Sequence, residues 1–143
     1  GGYHVCALRS TGVLCWGENS SGGLGTPTTP ADRSATPAVA SIAAVDILEV
    51  SCGAAHSCAV ATGGMLYCWG HNADGQVGDG TLVNRVMSVA VPAGGWVGGV
   101  ALGDNHSCAV LTTGALACWG RNMEGQIGDG TMTRRLLPVG VEL

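Results

Sequence analysis

Apolar and polar positions along this chain nowhere hold the 3.6-residue period of an amphipathic helix over a sustained stretch. They fall instead into short runs, with turn-forming residues every eight to twelve positions. Residues 56–61 (HSCAVA) and 65–69 (MLYCW) read as two short strands joined by Thr62-Gly63-Gly64. Further along, the corresponding joint is Thr112-Thr113-Gly114. A three-residue hairpin loop favours a final residue at positive φ, and both joints place glycine there. The turn sets the register. It puts Leu111 opposite Ala115, Val110 opposite Leu116 and Cys108 opposite Cys118, and by the same count Cys58 opposite Cys68. One face of these strands carries Cys, Val and Leu, and the other carries Ala, Tyr and Trp. Sheets covered on both faces have that composition.

The pattern recurs in three copies. Gly1-x-x-His4-x-Cys6-Ala7-Leu8 matches Gly53-x-x-His56-x-Cys58-Ala59-Val60 and Gly103-x-x-His106-x-Cys108-Ala109-Val110. Then come Cys15-Trp16-Gly17-x-Asn19, Cys68-Trp69-Gly70-x-Asn72 and Cys118-Trp119-Gly120-x-Asn122. Copies two and three close on Gly75-Gln76-Val77-Gly78-Asp79-Gly80-Thr81 and Gly125-Gln126-Ile127-Gly128-Asp129-Gly130-Thr131, and they repeat every 50 residues. A fixed period of this size signals a solenoid, array or propeller. Small sheets stacked face to face around an axis satisfy the two-sided strands, so the expected fold is all-β, a β-propeller. The chain reads as one segment over 1–143, with repeat 1 at about 1–52, repeat 2 at about 53–102 and repeat 3 at about 103–143.

Composition narrows the function. The chain is 46% hydrophobic and 11% charged, which calls for a packed core rather than disorder. A net charge of −4, with six arginines and no lysine, leaves no basic stripe to neutralise phosphates. Nucleic acid is therefore not an expected partner. No run of about eighteen apolar residues is present, so membrane insertion is not expected either.

The string GxxHSCAVxxxGxLxCWGxNxxGQ[VI]GDGT resembles the repeat of the regulator of chromosome condensation family, and the resemblance covers essentially the whole chain. It implies blades of four antiparallel strands, commonly seven to a ring. It also implies that Pro37 to Gly53, Val86 to Gly103 and Leu137 to Leu143 supply the strands that complete each blade. About three repeats make an open arc, to be completed by further blades or by other copies of the chain. Cysteine at both hairpin positions resembles the bacterial, secreted versions of the repeat. The family spans exchange factors, a photoreceptor, ligase domains and bacterial inhibitors, so the fold does not choose the function.

Three chemistries compete for the cysteines. Residues directly opposite in an antiparallel pair sit at the separation a disulfide needs. Cys58–Cys68 and Cys108–Cys118 are therefore expected bridges, each worth on the order of 2–3 kcal/mol. They would place the protein outside the cytosol, extracellular or at the cell surface. Copy one is one residue shorter between its cysteines. If Ser10-Thr11-Gly12 kept the three-residue turn, Cys6 would face Trp16, so the Cys6–Cys15 bridge, which is still expected, requires a bulge or a changed turn. Cys52 is the odd seventh cysteine, expected to be free. Zinc is the second reading, on His56, Cys58 and Cys68, but three ligands fall short of a structural site. The family histidine is expected to bond backbone groups at the strand entrance instead. A catalytic Cys–His pair, the third, would be duplicated in every blade with no orienting residue. Asn72-x-Asp74-Gly75 has a faint calcium-loop character but lacks the later bidentate Glu. The expectation is no enzyme, no cofactor and no metal.

Function should reside in what does not repeat. Copy one loses the GQxGDGT pattern and runs into an insertion from Thr26 to Arg33 that includes Asp32. Trp96 has no counterpart and sits among glycines, while Arg85, Arg134 and Arg135 follow the GDGT turns. Arginine, tryptophan and methionine are enriched in interfaces. Trp96, Arg85, Arg134, Arg135, Asp32 and Arg33 are accordingly the candidate interface. The expected function is a non-catalytic extracellular scaffold for protein–protein interaction or surface or filament assembly. Its partner would be another protein, or other copies of the chain joined head to tail. The alternative is a glycan- or ligand-binding module using Trp96 and Tyr3.

Overall fold

The computed structural model describes residues 1–27, 32–43 and 46–141. Its described strands are β1 (His4–Arg9), β2 (Gly12–Glu18), β3 (Arg33–Val39), β4 (Ile47–Cys52), β5 (His56–Ala61), β6 (Leu66–Gly70), β7 (Arg85–Val91), β8 (Val97–Leu102), β9 (His106–Leu111), β10 (Leu116–Gly120) and β11 (Arg135–Gly140). They form three antiparallel sheets in the orders β1-β2-β3, β4-β5-β6-β7 and β8-β9-β10-β11. These are three propeller blades. The sheets run out of phase with the repeated motif. β4 and β8 precede Gly53 and Gly103, so each of those sheets takes its first strand from residues ahead of its own His-x-Cys stretch.

The hairpins carry the expected glycine conformations, with φ of 77° at Gly63, 72° at Gly64 and 88° at Gly114. Cys58 lies opposite Cys68 and Cys108 opposite Cys118. Blade 1 does not keep the three-residue turn. Arg9 pairs with Gly12, leaving Ser10-Thr11 as a two-residue loop, and this puts Cys6 opposite Cys15 rather than Trp16. Each of the three cysteine pairs is bridged, with a Cα–Cα separation of 4.1 Å. Cys52 is unpaired and half-buried.

The Cys-Trp-Gly triplet has its own local reason. The ladder to the outer strand shifts register between Cys15 and Gly17, Cys68 and Gly70, and Cys118 and Gly120. A bulge of this kind re-aims a side chain, here Trp69 and Trp119 toward the neighbouring blade. Gly70 sits at φ 102°, and a Cβ there would come within 2.6 Å of the Ala55 carbonyl and 2.7 Å of His56 Cα. Only glycine fits.

The core lies between blades. Trp69 is buried with Val13, Cys15, Leu24, Ala40 and Ala59, which joins blade 2 to blade 1. Trp119 is buried with Cys58, Val60, Leu66, Cys68 and Val77, which joins blade 3 to blade 2.

Candidate functional site

The repeated polar residues form a relay across each blade boundary. His4 Nε2 is 2.7 Å from Ser57 Oγ, and His56 Nε2 is 2.9 Å from Ser107 Oγ. Each serine hydroxyl donates to a loop carbonyl of the preceding blade, Gly23 at 3.1 Å and Gln76 at 2.8 Å. The same two carbonyls accept the indole N–H of Trp69 and Trp119, each at 2.9 Å. Because the hydroxyl donates onward, it must accept from the imidazole, which fixes the neutral Nε2–H tautomer. The histidines therefore bond serine side chains of the next blade, a partner the strand-entrance expectation did not include. Burial lowers the His56 pKa to about 3, with the nearby His4, His71 and His106 adding to the effect. His4 is lowered in the same direction, chiefly by burial. Cys58 and Cys68 are bridged to each other, and His56 Nε2–H donates to Ser107 Oγ.

The GDGT loops fold around an asparagine. Asn72 Nδ2 donates to Asp79 Oδ1, to the Thr81 carbonyl and to the Val83 carbonyl at 3.0–3.1 Å, while Asn72 Oδ1 accepts from the Val77 amide at 3.0 Å. Asn122 repeats the arrangement with Asp129, Thr131 and Thr133. The truncated loop of copy one keeps its key contact, since Asn19 Oδ1 accepts from the Leu24 amide at 3.1 Å. Arg85 Nε meets Asp79 Oδ2 at 2.5 Å, and Arg135 Nε meets Asp129 Oδ2 at 2.5 Å. Hydrogen bonds from Thr131, reinforced by Arg135, hold the Asp129 carboxyl down to about 2. For Asp79, burial pushes upward, but Thr81 and Arg85 outweigh it and the carboxyl titrates below its ordinary value. Both guanidinium heads are engaged inside their own loops. Arg134 reaches across a blade boundary, donating from Nη1 to the Ala73 carbonyl at 3.1 Å.

The remaining candidate residues separate into two places. Strand direction puts the 53–55 and 71–84 connections at one end of the blades and the 62–65 and 92–96 turns at the other. At the first end, Asp32 and Arg33 line a cleft of about 650 Å³ with Tyr3 and Glu18. Residues 28–31 of the insertion lie outside the described residues. At the opposite end, Trp96 is 70% exposed and lines a cleft of about 340 Å³ with Met65, Tyr67 and Pro92. Tyr3 and Trp96 therefore do not share one platform. Met65 and Tyr67 also belong to the cleft, although the sequence places them only on a hairpin; the apolar Met65 directly after the glycine turn was the available signal.

The blade geometry and its repeat match known proteins. The family model described as regulator of chromosome condensation (RCC1) repeat matches residues 12–60 and 63–110, and a second model of the same description matches 1–22, 47–76 and 99–126. The chain belongs to the RCC1 repeat family. It is 34% identical over 79 residues to human "Probable E3 ubiquitin-protein ligase HERC4", a stretch covering 54% of this chain and 8% of that protein. The RCC1 blades superpose on Prp20p from Saccharomyces cerevisiae, whose structure was described with its binding to Gsp1p and histones, with a TM-score of 0.87 at 22% identity. That match covers 99% of this chain and 36% of Prp20p. The ectodomain of the receptor kinase CR4 from Physcomitrella patens is similar at 25% identity and a TM-score of 0.58, over 90% of this chain and 30% of that one. The chain thus spans under a tenth of the relative and about a third of each solved structure.

Proposed function

We propose that this RCC1-repeat segment is a non-catalytic scaffold that binds a protein partner outside the cell. The observation that carries the reading is the Trp96 cleft. A tryptophan 70% exposed, beside the half-exposed Met65 and over an apolar groove, has the composition of an interface hot spot. The repeated polar groups serve the fold. The histidines, serines and indoles hold blade to blade, and the Asp–Arg pairs hold loops. Three bridged cysteine pairs support an oxidising compartment, and the similar CR4 domain is an ectodomain. Binding of Prp20p to other proteins supports the use of the fold in recognition.

Glycan binding is the second reading, supported by Tyr3 with Glu18 and Asp32 in the larger cleft. A photo-crosslinker at position 96, exposed to the extracellular material of the source cells, separates the two. A protein adduct competed by unlabelled wild type but not by Trp96→Ala supports the first. Glycan-array binding lost in Tyr3→Ala and kept in Trp96→Ala replaces it with the second.

A further inference from the structure

Cys52 closes β4, the strand of blade 2 that packs on β1 of blade 1. Its Sγ, the Cys6 Sγ and a ring nitrogen of His4 all lie within 4.8 Å of one another. The Ser57 hydroxyl stands among them, 3.7 Å from Cys6 Sγ, 3.8 Å from Cys52 Sγ and 2.7 Å from His4 Nε2. Three such groups have the make-up of a soft-metal cluster. Cys6, however, is already bonded to Cys15, and the His4 Nε2 proton is on Ser57.

The next boundary supplies the comparison. One repeat further on, the position of Cys52 is held by Leu102, which packs on the cluster containing Cys58 and Cys68. An apolar side chain satisfies that packing, so the sulfur at position 52 is not demanded by the core. Cys6 and Cys52 are both half-buried, within reach of water, whereas Cys15 is fully buried.

We infer that Cys52 and the Cys6–Cys15 bridge form an intramolecular thiol–disulfide exchange site between blades 1 and 2. Cys52 loses its proton to water, and its thiolate lone pair forms a bond to Cys6 Sγ. The Cys6–Cys15 bond breaks, its electron pair leaves on Cys15 Sγ, and Cys15 takes up a proton. One thiol is consumed at Cys52 and one is formed at Cys15, and the oxidation level is unchanged overall, so no external oxidant enters. The Ser57 hydroxyl can turn from the Gly23 carbonyl toward the Cys52 thiolate and stabilise it. Protonation of the leaving Cys15 matters because a thiolate there would be a buried, unpaired charge. The exchange converts a staple across one hairpin into a staple between blades, closing a chain segment roughly five times longer.

The arginine spacing makes the test direct. Trypsin cleaves after Arg9, Arg33 and Arg85, which puts Cys6 in 1–9, Cys15 in 10–33 and Cys52 in 34–85. The folded wild-type protein is equilibrated in a glutathione redox buffer at pH 8, acid-quenched, alkylated and mapped without reduction. The expected result is peptide 1–9 linked in part to 34–85, with alkylated Cys15 appearing in step, and complete loss of that linkage in Cys52→Ser. Peptide 1–9 linked only to 10–33 would overturn the proposal. So would persistence of the new linkage in Cys52→Ser, because Cys58 or Cys68 would then be its source. Cys15→Ser gives an independent arm: air oxidation should remove both remaining thiols by forming Cys6–Cys52, and two persisting thiols in the folded variant overturn it. If Cys15→Ser does not fold, the wild-type and Cys52→Ser maps decide alone.

Discussion

His56 and Ser107 share a 2.9 Å hydrogen bond across the boundary between blades 2 and 3, and both side chains are buried. The same hydroxyl donates to Gln76 O. Ser107→Ala strands the buried imidazole N–H without its partner, although Gln76 O keeps Trp119. Leaving one buried donor unsatisfied costs about 1–3 kcal/mol. Urea unfolding should therefore show a lower midpoint at unchanged slope. An unshifted midpoint would mean that the relay is not holding the blades.

Stability should fall as the solution is acidified from neutral, before the carboxylates titrate. The His56 pKa in the fold is about 3, below its ordinary 6.5. In that window the unfolded chain binds a proton that the folded chain does not. Stability is thus fully present above 6.5 and is lost as pH falls toward 3, by a few kcal/mol in order of magnitude. Asp129, held at about 2 against an ordinary 3.8, acts in the same sense only below about pH 4. Chemical denaturation at pH 7.5, 5.5 and 4.5 checks this. His56→Gln should flatten the slope between pH 6.5 and 4.5, and an unchanged slope would contradict the assignment.

Two glycines at similar φ separate backbone strain from packing. Gly78 has φ 82° and Gly114 has φ 88°. A Cβ on Gly78 would come within 2.5 Å of Trp119 Nε1, whereas a Cβ on Gly114 meets nothing within 4 Å. Gly114→Ala should cost only the left-handed backbone term, about 1–2 kcal/mol. Gly78→Ala adds overpacking against a fully buried indole, a further 1–3 kcal/mol or so. Equal losses in thermal or urea unfolding would show that the indole yields.

Much of the architecture was legible because it is local or periodic. Gly64 and Gly114 specify hairpin loops, and loop length fixes which residues stand opposite. The 50-residue recurrence then points to stacked sheets. The two-residue Ser10-Thr11 turn was not legible, because the shortened hairpin admits either a bulge or a new turn and only packing selects between them. The His–Ser–carbonyl relay joins residues about fifty positions apart, and no local pattern encodes that contact. For Arg85 and Arg135 the signal did exist: each follows an aspartate by six residues, Asp79 and Asp129, at matching places in the repeat. That regularity pointed to loop scaffolding. Asp32 and Arg33 read as part of a non-repeating insertion, yet Arg33 opens β3, the blade-1 counterpart of β7 and β11, and strand direction was needed to see that they and Trp96 occupy opposite ends of the blades.

Trp96 and Trp119 should behave oppositely when truncated. Trp119 is fully buried at the boundary of blades 2 and 3 and donates to Gln76 O. Trp119→Ala removes that bond and opens a cavity in the core, with an expected loss of about 3–5 kcal/mol. Trp96 leaves 70% of its surface in water, and its backbone carbonyl, not its ring, accepts from the Thr112 amide at 2.8 Å. Trp96→Ala keeps that hydrogen bond and should change stability by no more than about 0.5 kcal/mol. Unfolding midpoints for the two variants, measured alongside partner crosslinking at the 62–65 and 92–96 end, give the decisive contrast. A stable Trp96→Ala protein that no longer competes for the partner places Trp96 in recognition. A loss of several kcal/mol in Trp96→Ala would instead make its ring part of the fold, and the cleft would lose its claim as an interface.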